Sequence, residues 1–205
     1  MKRQTFLNFC LAALTAFLTS CASGPSGPGW TTLIDGGKGL ENWNMIGEAN
    51  WREQDGAIVA DKGTSGFLVT KTAYQDFVVY AEFWAATDTN SGIFIRASDP
   101  KKVGADNSYE VNIWDIRPDP SYGTGGIVNF AKVPVPTVYR AGGQWNTMEI
   151  TAKGSNIMVK LNGAITAQLQ DSKFPSGPFA LQFGPGVNNA LGGPIKWRKV
   201  MVKSL

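Results

Sequence analysis

Short runs of alternating apolar and polar residues, separated by glycine, proline, asparagine or aspartate, follow one another from Trp30 to the C-terminus. β-branched and aromatic residues dominate these runs, and no window of about 12 residues shows the 3.6-residue period of an amphipathic helix. Asn162-Gly163 lies between two such runs and is typical of a type I′ hairpin turn, because both residues tolerate a positive φ. The pattern predicts one all-β domain over residues 30–205, built as two packed antiparallel sheets. The clearest runs are residues 77–84, 92–96, 109–114, 147–152, 157–161, 179–183 and 195–202.

Residues 1–21 are typical of a signal for export. Met1-Lys2-Arg3 is cationic, and an apolar stretch follows over residues 5–18. This stretch is shorter than the roughly 20 residues of a membrane-spanning helix but suits the apolar region of a secretory signal. It ends in LTSC at 18–21, which resembles the lipobox of bacterial lipoproteins, where cleavage precedes a cysteine that receives lipid. An ordinary signal peptide with a chance cysteine is the alternative.

Lipidation of Cys21 has consequences for the rest of the chain. Cleavage removes Cys10 together with two cations, so the net charge falls from +3 to +1 and both cysteines become unavailable for a disulfide. Residues 22–29 are rich in glycine, proline and serine and predict a flexible tether. Position 22 is not the aspartate that retains many lipoproteins at the inner membrane. We therefore expect a lipid-anchored protein of the bacterial cell envelope, at the outer membrane and facing the periplasm or the exterior.

The chain contains no histidine. This excludes a Ser-His-Asp triad, a Cys-His pair and any zinc site with histidine ligands. The nearly neutral domain also lacks the basic surface that nucleic-acid binding requires. Chemistry must therefore use carboxylates, lysine, arginine, tyrosine, or a cation held by oxygen ligands, which favours Ca²⁺ or Mg²⁺.

Period-two alternation assigns side chains to the faces of the predicted strands. It places Glu82 and Trp84 on one face of the first run, Arg96 on the corresponding face of the second, and Glu110, Asn112 and Trp114 on that of the third. If this face is concave, it forms a groove in which aromatic rings stack on sugars and charged groups bind hydroxyls. The alternative is an ordinary solvated sheet face on which Glu82 and Arg96 form a cross-strand ion pair.

Motifs along nearly the whole domain resemble the family once called DUF1080, now the 3-keto-disaccharide hydrolase domain. The resemblance implies a jelly-roll sandwich of the concanavalin A type. The matching segments are LIDGGKGLENW at 33–43, WREQDGAIV at 51–59, NSGIFIR at 90–96, YEVNIWD at 109–115, TGGI at 124–127, GQWNT at 143–147, LNG at 161–163 and GPIKWR at 193–198.

The resemblance also implies cleavage of glycosidic bonds in 3-keto-glycosides, by a site that contains Arg96, Glu110, Asn112, Asp115 and Glu82. A ketone at C3 acidifies the C2 proton, so a base can start an elimination that expels the C1 substituent, and water then adds to the enone. Glu110 is the expected base, Arg96 or a divalent cation stabilises the C3 oxygen, and Glu82 or Asp115 acts as the acid or a cation ligand.

Substrate contacts are expected from Asn112, Trp114, Trp84 and Tyr122. Asn112 stands where glutamine is commoner in the family, and Val128 where an aromatic residue often follows the Gly-Ile pair. An ordinary glycosidase with two carboxylates is also possible on this type of fold. A carbohydrate-binding lipoprotein without catalysis remains the alternative of a different class.

Overall fold

The computed structural model describes residues 24–205, so the predicted signal peptide and Cys21 lie outside the described residues. Thirteen strands and three short 3-10 turns make up the regular structure of this part. No helix within residues 24–205 is long and apolar enough to cross a membrane. The strands are β1 Trp30–Asp35, β2 Trp43–Gly47, β3 Arg52–Gln54, β4 Ala57–Ala60, β5 Gly66–Thr70, β6 Phe77–Ala85, β7 Ser91–Ile95, β8 Tyr109–Ile113, β9 Gln144–Lys153, β10 Asn156–Leu161, β11 Ala164–Gln170, β12 Ala180–Phe183 and β13 Ile195–Ser204. The 3-10 turns are Leu40–Asn42, Pro120–Tyr122 and Val187–Asn189.

Two antiparallel sheets form a sandwich, which confirms the predicted fold class. Sheet A has eight strands in the order β11-β10-β9-β6-β13-β4-β3, with β1 also paired to β13. Sheet B has five strands in the order β2-β5-β12-β7-β8. The predicted hairpin joins β10 to β11, and Asn162 and Gly163 have φ values of 51° and 83° there.

The core lies between the two sheets. From β6 it receives Phe77, Val79, Ala81 and Phe83, and Trp197 of β13 packs against Phe83 with the ring centroids 5.5 Å apart. Ile93 and Ile95 of β7 fill it from the other sheet, together with Tyr109, Val111 and Ile113 of β8. Period-two alternation therefore assigned the inward side of these three strands correctly.

The chain changes sheets between β6 and β7. β6 lies in the middle of sheet A, whereas β7 and β8 lie at one side of sheet B. The outward sides of β6 and β7 consequently face opposite sides of the sandwich. We call the outward side of sheet A face A, which includes Tyr80 and Glu82, and the outward side of sheet B face B, which includes Phe94 and Glu110.

Candidate functional site

The predicted common face of Glu82, Arg96 and Glu110 is wrong. Glu82 lies on face A and Glu110 on face B, with the core between them. The prediction treated three successive strands as neighbours in one sheet, but the chain crosses to the other sheet after the first of them. The alternative, an ion pair between Glu82 and Arg96, is wrong for the same reason, since Glu82 pairs with Arg198 and Arg96 with Asp76.

Glu82 belongs to a satisfied polar cluster on face A. Its carboxylate accepts hydrogen bonds from Tyr80 Oη at 2.9 Å and from Arg198 Nε at 2.5 Å. The residue is only 3% exposed, and Arg198 in turn lies over the ring of Trp145 at 4.4 Å. Glu82 is therefore part of a hydrogen-bonded ion pair that stabilises the fold.

Arg96 is fully buried at the end of β7. Its guanidinium donates to the carbonyls of Gln75 and Gly154, with Nη2 2.6 Å from Gln75 O and Nη1 2.8 Å from Gly154 O, and it forms an ion pair with Asp76 at 3.3 Å. Arg96 has a φ of 54°, which interrupts the strand alternation on which its predicted place beside Phe94 depended. The side chain therefore joins loops at the end of the sandwich and does not reach Glu110.

Asp115 also stabilises loops. Its carboxylate accepts hydrogen bonds from Thr124 Oγ1 at 2.6 Å and from the backbone N–H groups of Ala141 and Gly142 at 3.0 and 2.9 Å. It lies two residues beyond the end of β8, and the sequence already placed it out of phase with Glu110. These donors occupy the oxygens that an acid catalyst or a cation ligand needs free.

The predicted aromatic contacts separate in the same way. Trp84 lies on face A under Lys196, whose Nζ is 4.9 Å from the ring centroid. Trp114 follows β8 on the side of Glu110, and the guanidinium carbon of Arg117 lies 5.6 Å from its ring centroid. Tyr122 belongs to the adjoining loop, and its carbonyl accepts a hydrogen bond from Asn112 Nδ2 at 2.6 Å. Trp114 and Tyr122 thus lie on the same side of the sandwich as Glu110, whereas Trp84 lies on the opposite side.

Glu110 differs from the other predicted carboxylates because it has no partner. The residue is 8% exposed, and no hydrogen bond reaches its carboxyl group from any residue in 24–205. Burial raises the pKa of Glu110 to about 7, and the charge of Arg117 opposes this shift only in part. A carboxyl group in this environment exchanges a proton near neutral pH.

Two side-chain amides lie close to Glu110 across a glycine. Gly92 pairs with Asn112, and extending the β12–β7 register by one residue places Gln182 on the other side of Gly92. Glu110 is two residues from Asn112 on the same face. A Cβ at Gly92 would lie 3.6 Å from Glu110 Cγ, so the glycine leaves space beside the carboxyl group.

Unpaired polar atoms concentrate around this glycine. Seven buried side-chain polar atoms in residues 24–205 have no hydrogen-bond partner. Three of the seven, the indole nitrogens of Trp43, Trp51 and Trp197, belong to other parts of the domain. The other four lie on β8, on β12 and in the loop that follows β8, and are Asn112 Oδ1, Gln182 Oε1, Arg117 Nε and Trp114 Nε1. Buried polar groups are normally hydrogen-bonded, so this group of donors and acceptors is arranged for a polar ligand. We call Gly92, Glu110, Asn112, Trp114, Arg117 and Gln182 the face B site.

Sequence reasoning did not select Arg117 as a chemical group, and it missed Gln182 and the space at Gly92. Alternation along β12 was a usable signal for Gln182, because it is the polar member of the run 180–183. Arg117 lies in an irregular loop, where period-two alternation gives no direction.

Two open cavities lie elsewhere on the surface. One of about 500 Å³ on face A is lined by Thr151, Met158 and Gln168, and one of about 530 Å³ lies between Ser65 and Leu191. Neither contains a carboxyl group with a raised pKa. We therefore place the chemistry at the face B site, where the unpaired groups are.

The residues of the face B site do not fit a divalent cation. Ca²⁺ and Mg²⁺ require several oxygen ligands, usually more than one carboxylate. No group of three or more acidic or thiol side chains suited to a metal occurs within residues 24–205. Glu82 and Asp115, which the sequence suggested as ligands, lie elsewhere, and Arg117 brings a positive charge to Glu110. The chemistry proposed below therefore uses no cation.

Comparison with known proteins identifies the family. Residues 29–203 match the family described as the 3-keto-alpha-glucoside-1,2-lyase-like domain, and the chain belongs to this family. No curated protein sequence matches the chain. The structure is similar to that of a candidate glycosyl hydrolase from Parabacteroides distasonis, with 27% identity, a TM-score of 0.69, and coverage of 86% of this chain and 99% of the other.

A second structural neighbour is a carbohydrate-binding module. CBM66 from Bacillus subtilis shares the fold with a TM-score of 0.57 and 14% identity, and the similarity covers 86% of this chain and 96% of the module. At this identity the likeness shows the sandwich fold alone.

Proposed function

We propose that the protein cleaves glycosidic bonds of 3-keto-glycosides by elimination and hydration at the face B site. The observation that supports the proposal is Glu110, a nearly buried carboxyl group without a partner, on the same side of sheet B as the unpaired amide oxygens of Asn112 and Gln182. Membership of the 3-keto-alpha-glucoside-1,2-lyase-like family supports the substrate class, and the similarity to a candidate glycosyl hydrolase supports sugar chemistry.

Glu110 is the proposed base. Because its pKa is near 7, a large fraction of Glu110 is ionised at neutral pH. The ionised carboxylate is still basic enough to accept the acidified C2 proton. Removal of this proton produces an enolate whose negative charge resides mainly on the C3 oxygen. The C1–O bond then breaks as a C1–C2 double bond forms, and the leaving oxygen takes a proton from the water molecule whose oxygen adds to C1 in the next step.

Arg117 is the proposed partner of the C3 oxygen in place of Arg96. Its Nε is buried and unpaired, and its positive charge acts to lower the pKa of Glu110. A donor aimed at the developing oxyanion stabilises the enolate more than the ketone. Asn112 Oδ1 and Gln182 Oε1 are acceptors for sugar hydroxyls, and Trp114 offers an indole N–H donor beside them.

Hydration completes the balance of atoms. Water adds its oxygen to C1 of the enone, the protonated Glu110 returns a proton to C2, and the released unit is the free 3-keto sugar. One carboxyl group can serve both proton transfers, because it is protonated by the first and deprotonated by the second. This suits a site with a single carboxylate, whereas ordinary glycosidases position two carboxylates about the scissile bond.

A carbohydrate-binding protein without catalysis is the second candidate. One observation favours it: neither Glu82 nor Asp115 joins Glu110, so no separate acid assists the leaving group. The same unpaired amides and indole would then bind sugar hydroxyls without cleavage.

The test follows the C2 proton. The full-length protein is incubated in D₂O with 3-keto-trehalose and with 3-keto-glucosides, and the released 3-keto sugar is analysed by NMR and mass spectrometry against an enzyme-free blank. The carboxyl proton of Glu110 exchanges with D₂O before a proton is returned to C2, so elimination and hydration places deuterium at C2 of the product. We expect release with deuterium from the wild type and from Glu53→Gln, an exposed control on β3, and none from Glu110→Gln.

Each other outcome separates the candidates. Release without deuterium above the blank means direct hydrolysis and contradicts the proposed mechanism. Binding of the same sugars by calorimetry without release identifies the carbohydrate-binding alternative. Release from Glu110→Gln at the wild-type rate removes Glu110 from the chemistry.

A further inference from the structure

Gly24, the first residue that the structure describes, lies against face A. The backbone at Gly24 lies beside Tyr80 and Lys199, since a Cβ placed there would be 3.0 Å from Tyr80 Cε1 and 3.1 Å from Lys199 Cδ. Further along, Gly29 lies next to Lys203 in the same way, at 3.3 Å from Lys203 Cε. Residues 24–29 therefore follow β13 across face A before β1 begins.

This placement limits the distance between face A and Cys21. Gly24 is the third residue after Cys21, and an extended chain spans at most about 11 Å over three residue steps. The limit holds for any conformation of these residues. If Cys21 carries lipid at the membrane surface, Tyr80 and Lys199 lie close to the same surface.

Face A has the charge that an anionic membrane attracts. Its strands β1, β6, β9, β10 and β13 carry six cationic side chains and three carboxylates, and each carboxylate is paired with one of the cations. Lys153, Lys196 and Lys203 have no carboxylate partner within residues 24–205. Trp145 is 40% exposed on the same face, and indole rings favour the interface between water and lipid. The cations are Lys153, Lys160, Lys196, Arg198, Lys199 and Lys203, and the carboxylates are Asp35, Glu82 and Glu149.

We propose that the protein is anchored by lipid on Cys21 and rests on the membrane with face A, whose lysines contact the phosphates of anionic phospholipids. The lipid would hold the N-terminal end of the domain at the membrane, and the basic face adds an electrostatic attraction that determines which side of the domain lies against it. Each lysine near an anionic surface contributes about 1 kcal/mol. The anchor and the basic face act together because the short segment from Cys21 to Gly24 keeps them adjacent.

The orientation places the face B site away from the membrane. Sheets A and B pack face to face, so Glu110 and Gly92 lie on the side opposite to the lysines of β13. Soluble ligands then reach the site without passing the lipid surface. This inference stands on residues 24–29 and face A, and it is independent of the proposed catalytic role of Glu110.

The test measures the orientation of the lipidated full-length protein on vesicles. Lipid modifies Cys21, so one introduced cysteine can carry an environment-sensitive fluorophore. Thr151→Cys places the label on face A, and Lys101→Cys places it on the loop over face B as a matched control. Quenching by iodide is compared on vesicles of phosphatidylethanolamine with phosphatidylglycerol and on vesicles of phosphatidylcholine alone.

We expect the face A label to be protected at least about twofold relative to the face B label on phosphatidylglycerol vesicles, with less protection on phosphatidylcholine. Adding Lys196→Glu and Lys203→Glu to Thr151→Cys should restore quenching. Equal quenching of the two labels, protection of the face B label, or failure of the wild type to float with vesicles would each overturn the proposal. Sugar release is assayed in the same samples, so a failure of orientation is distinguishable from a failure of catalysis.

Discussion

Two glutamates on opposite faces of the sandwich are almost equally buried and have different surroundings. Glu82 on face A is 3% exposed and accepts hydrogen bonds from Tyr80 and Arg198. Glu110 on face B is 8% exposed, and its carboxyl group has no hydrogen-bond partner within residues 24–205. Their residue type and strand position are alike, so the difference lies in what the neighbouring strands provide.

The comparison shows how the same fold separates structural from chemical roles. β13 supplies Arg198 beside Glu82, and the resulting ion pair occupies the Glu82 carboxylate. β7 supplies Gly92 and β12 supplies Gln182 near Glu110, which leaves space and unpaired acceptors. A buried carboxyl group without compensation costs stability, and such a cost is retained mainly where function requires it.

Glutamine substitutions give the largest expected contrast between the two faces. Glu110→Gln should lower the rate of 3-keto-glucoside cleavage by about 10²- to 10⁴-fold, because it removes the proton acceptor. Glu82→Gln should leave the rate per folded molecule within about twofold, since Glu82 does not contact the face B site. Steady-state kinetics at equal folded concentration measure both. A greater loss in Glu82→Gln would move the active site to face A.

Arg96 provides a contrast in stability. Arg96→Met should destabilise the domain by about 3 kcal/mol, because it leaves Asp76 and several loop carbonyls without a donor. The melting temperature should fall by about 6 to 12 °C. Cleavage per folded molecule should remain unchanged at a temperature below the transition. If Arg96→Met instead kept the wild-type stability but lost activity, Arg96 would belong to the active site.

The pKa of Glu110 predicts a pH dependence of stability. Burial raises this pKa from its ordinary value of 4.5 to about 7, so the folded protein binds more protons than the unfolded chain between these values. The contribution of Glu110 to stability is therefore greatest below pH 4.5 and is lost as the pH rises to 7. The loss amounts to roughly 3 kcal/mol over this interval.

Denaturant unfolding at a series of pH values checks this dependence. Glu110→Gln should lack this decline between pH 4.5 and 7, and the exposed control Glu53→Gln should retain it. If the free energy of unfolding changed with pH in the same way for the wild type and Glu110→Gln, Glu110 would already be ionised and solvated in the folded protein.

The space at Gly92 gives the smallest expected effect. Gly92→Ala adds a methyl group that approaches Val111 O at 2.9 Å and Glu110 Cγ at 3.6 Å. Sugar binding should weaken by about tenfold, with a loss of stability of about 1 to 2 kcal/mol. Gly104→Ala is the control, because its added Cβ meets no atom within 4 Å. Unchanged sugar affinity in Gly92→Ala would place the ligand elsewhere on face B.

The sequence was sufficient for the fold because strand alternation and turn residues are local properties. Asn162-Gly163 correctly predicted the β10–β11 hairpin, and the inward residues of β6, β7 and β8 were correctly predicted from alternation alone. Glu110, Asn112 and Trp114 were also correctly placed together, since they lie on one continuous run.

The grouping of residues from different runs required information that alternation does not contain. Which sheet each strand joins depends on long-range pairing, so Glu82 could not be separated from Glu110 by the sequence pattern. The positive φ of Arg96 redirected one side chain at a strand end. Arg117 comes from an irregular loop, and Gln182 reaches Gly92 only through the pairing of β12 with β7.

The most direct test of the contrast between the faces is a ¹³C NMR titration of the glutamate carboxyl groups in the full-length protein. Glu110→Gln and Glu82→Gln assign the two resonances. We expect the resonance missing from Glu110→Gln to titrate near pH 7, because that carboxyl group is buried without a partner. Titration of this resonance near pH 4.5 would contradict the account, since it would mean that Glu110 is solvated or paired like an ordinary surface carboxylate.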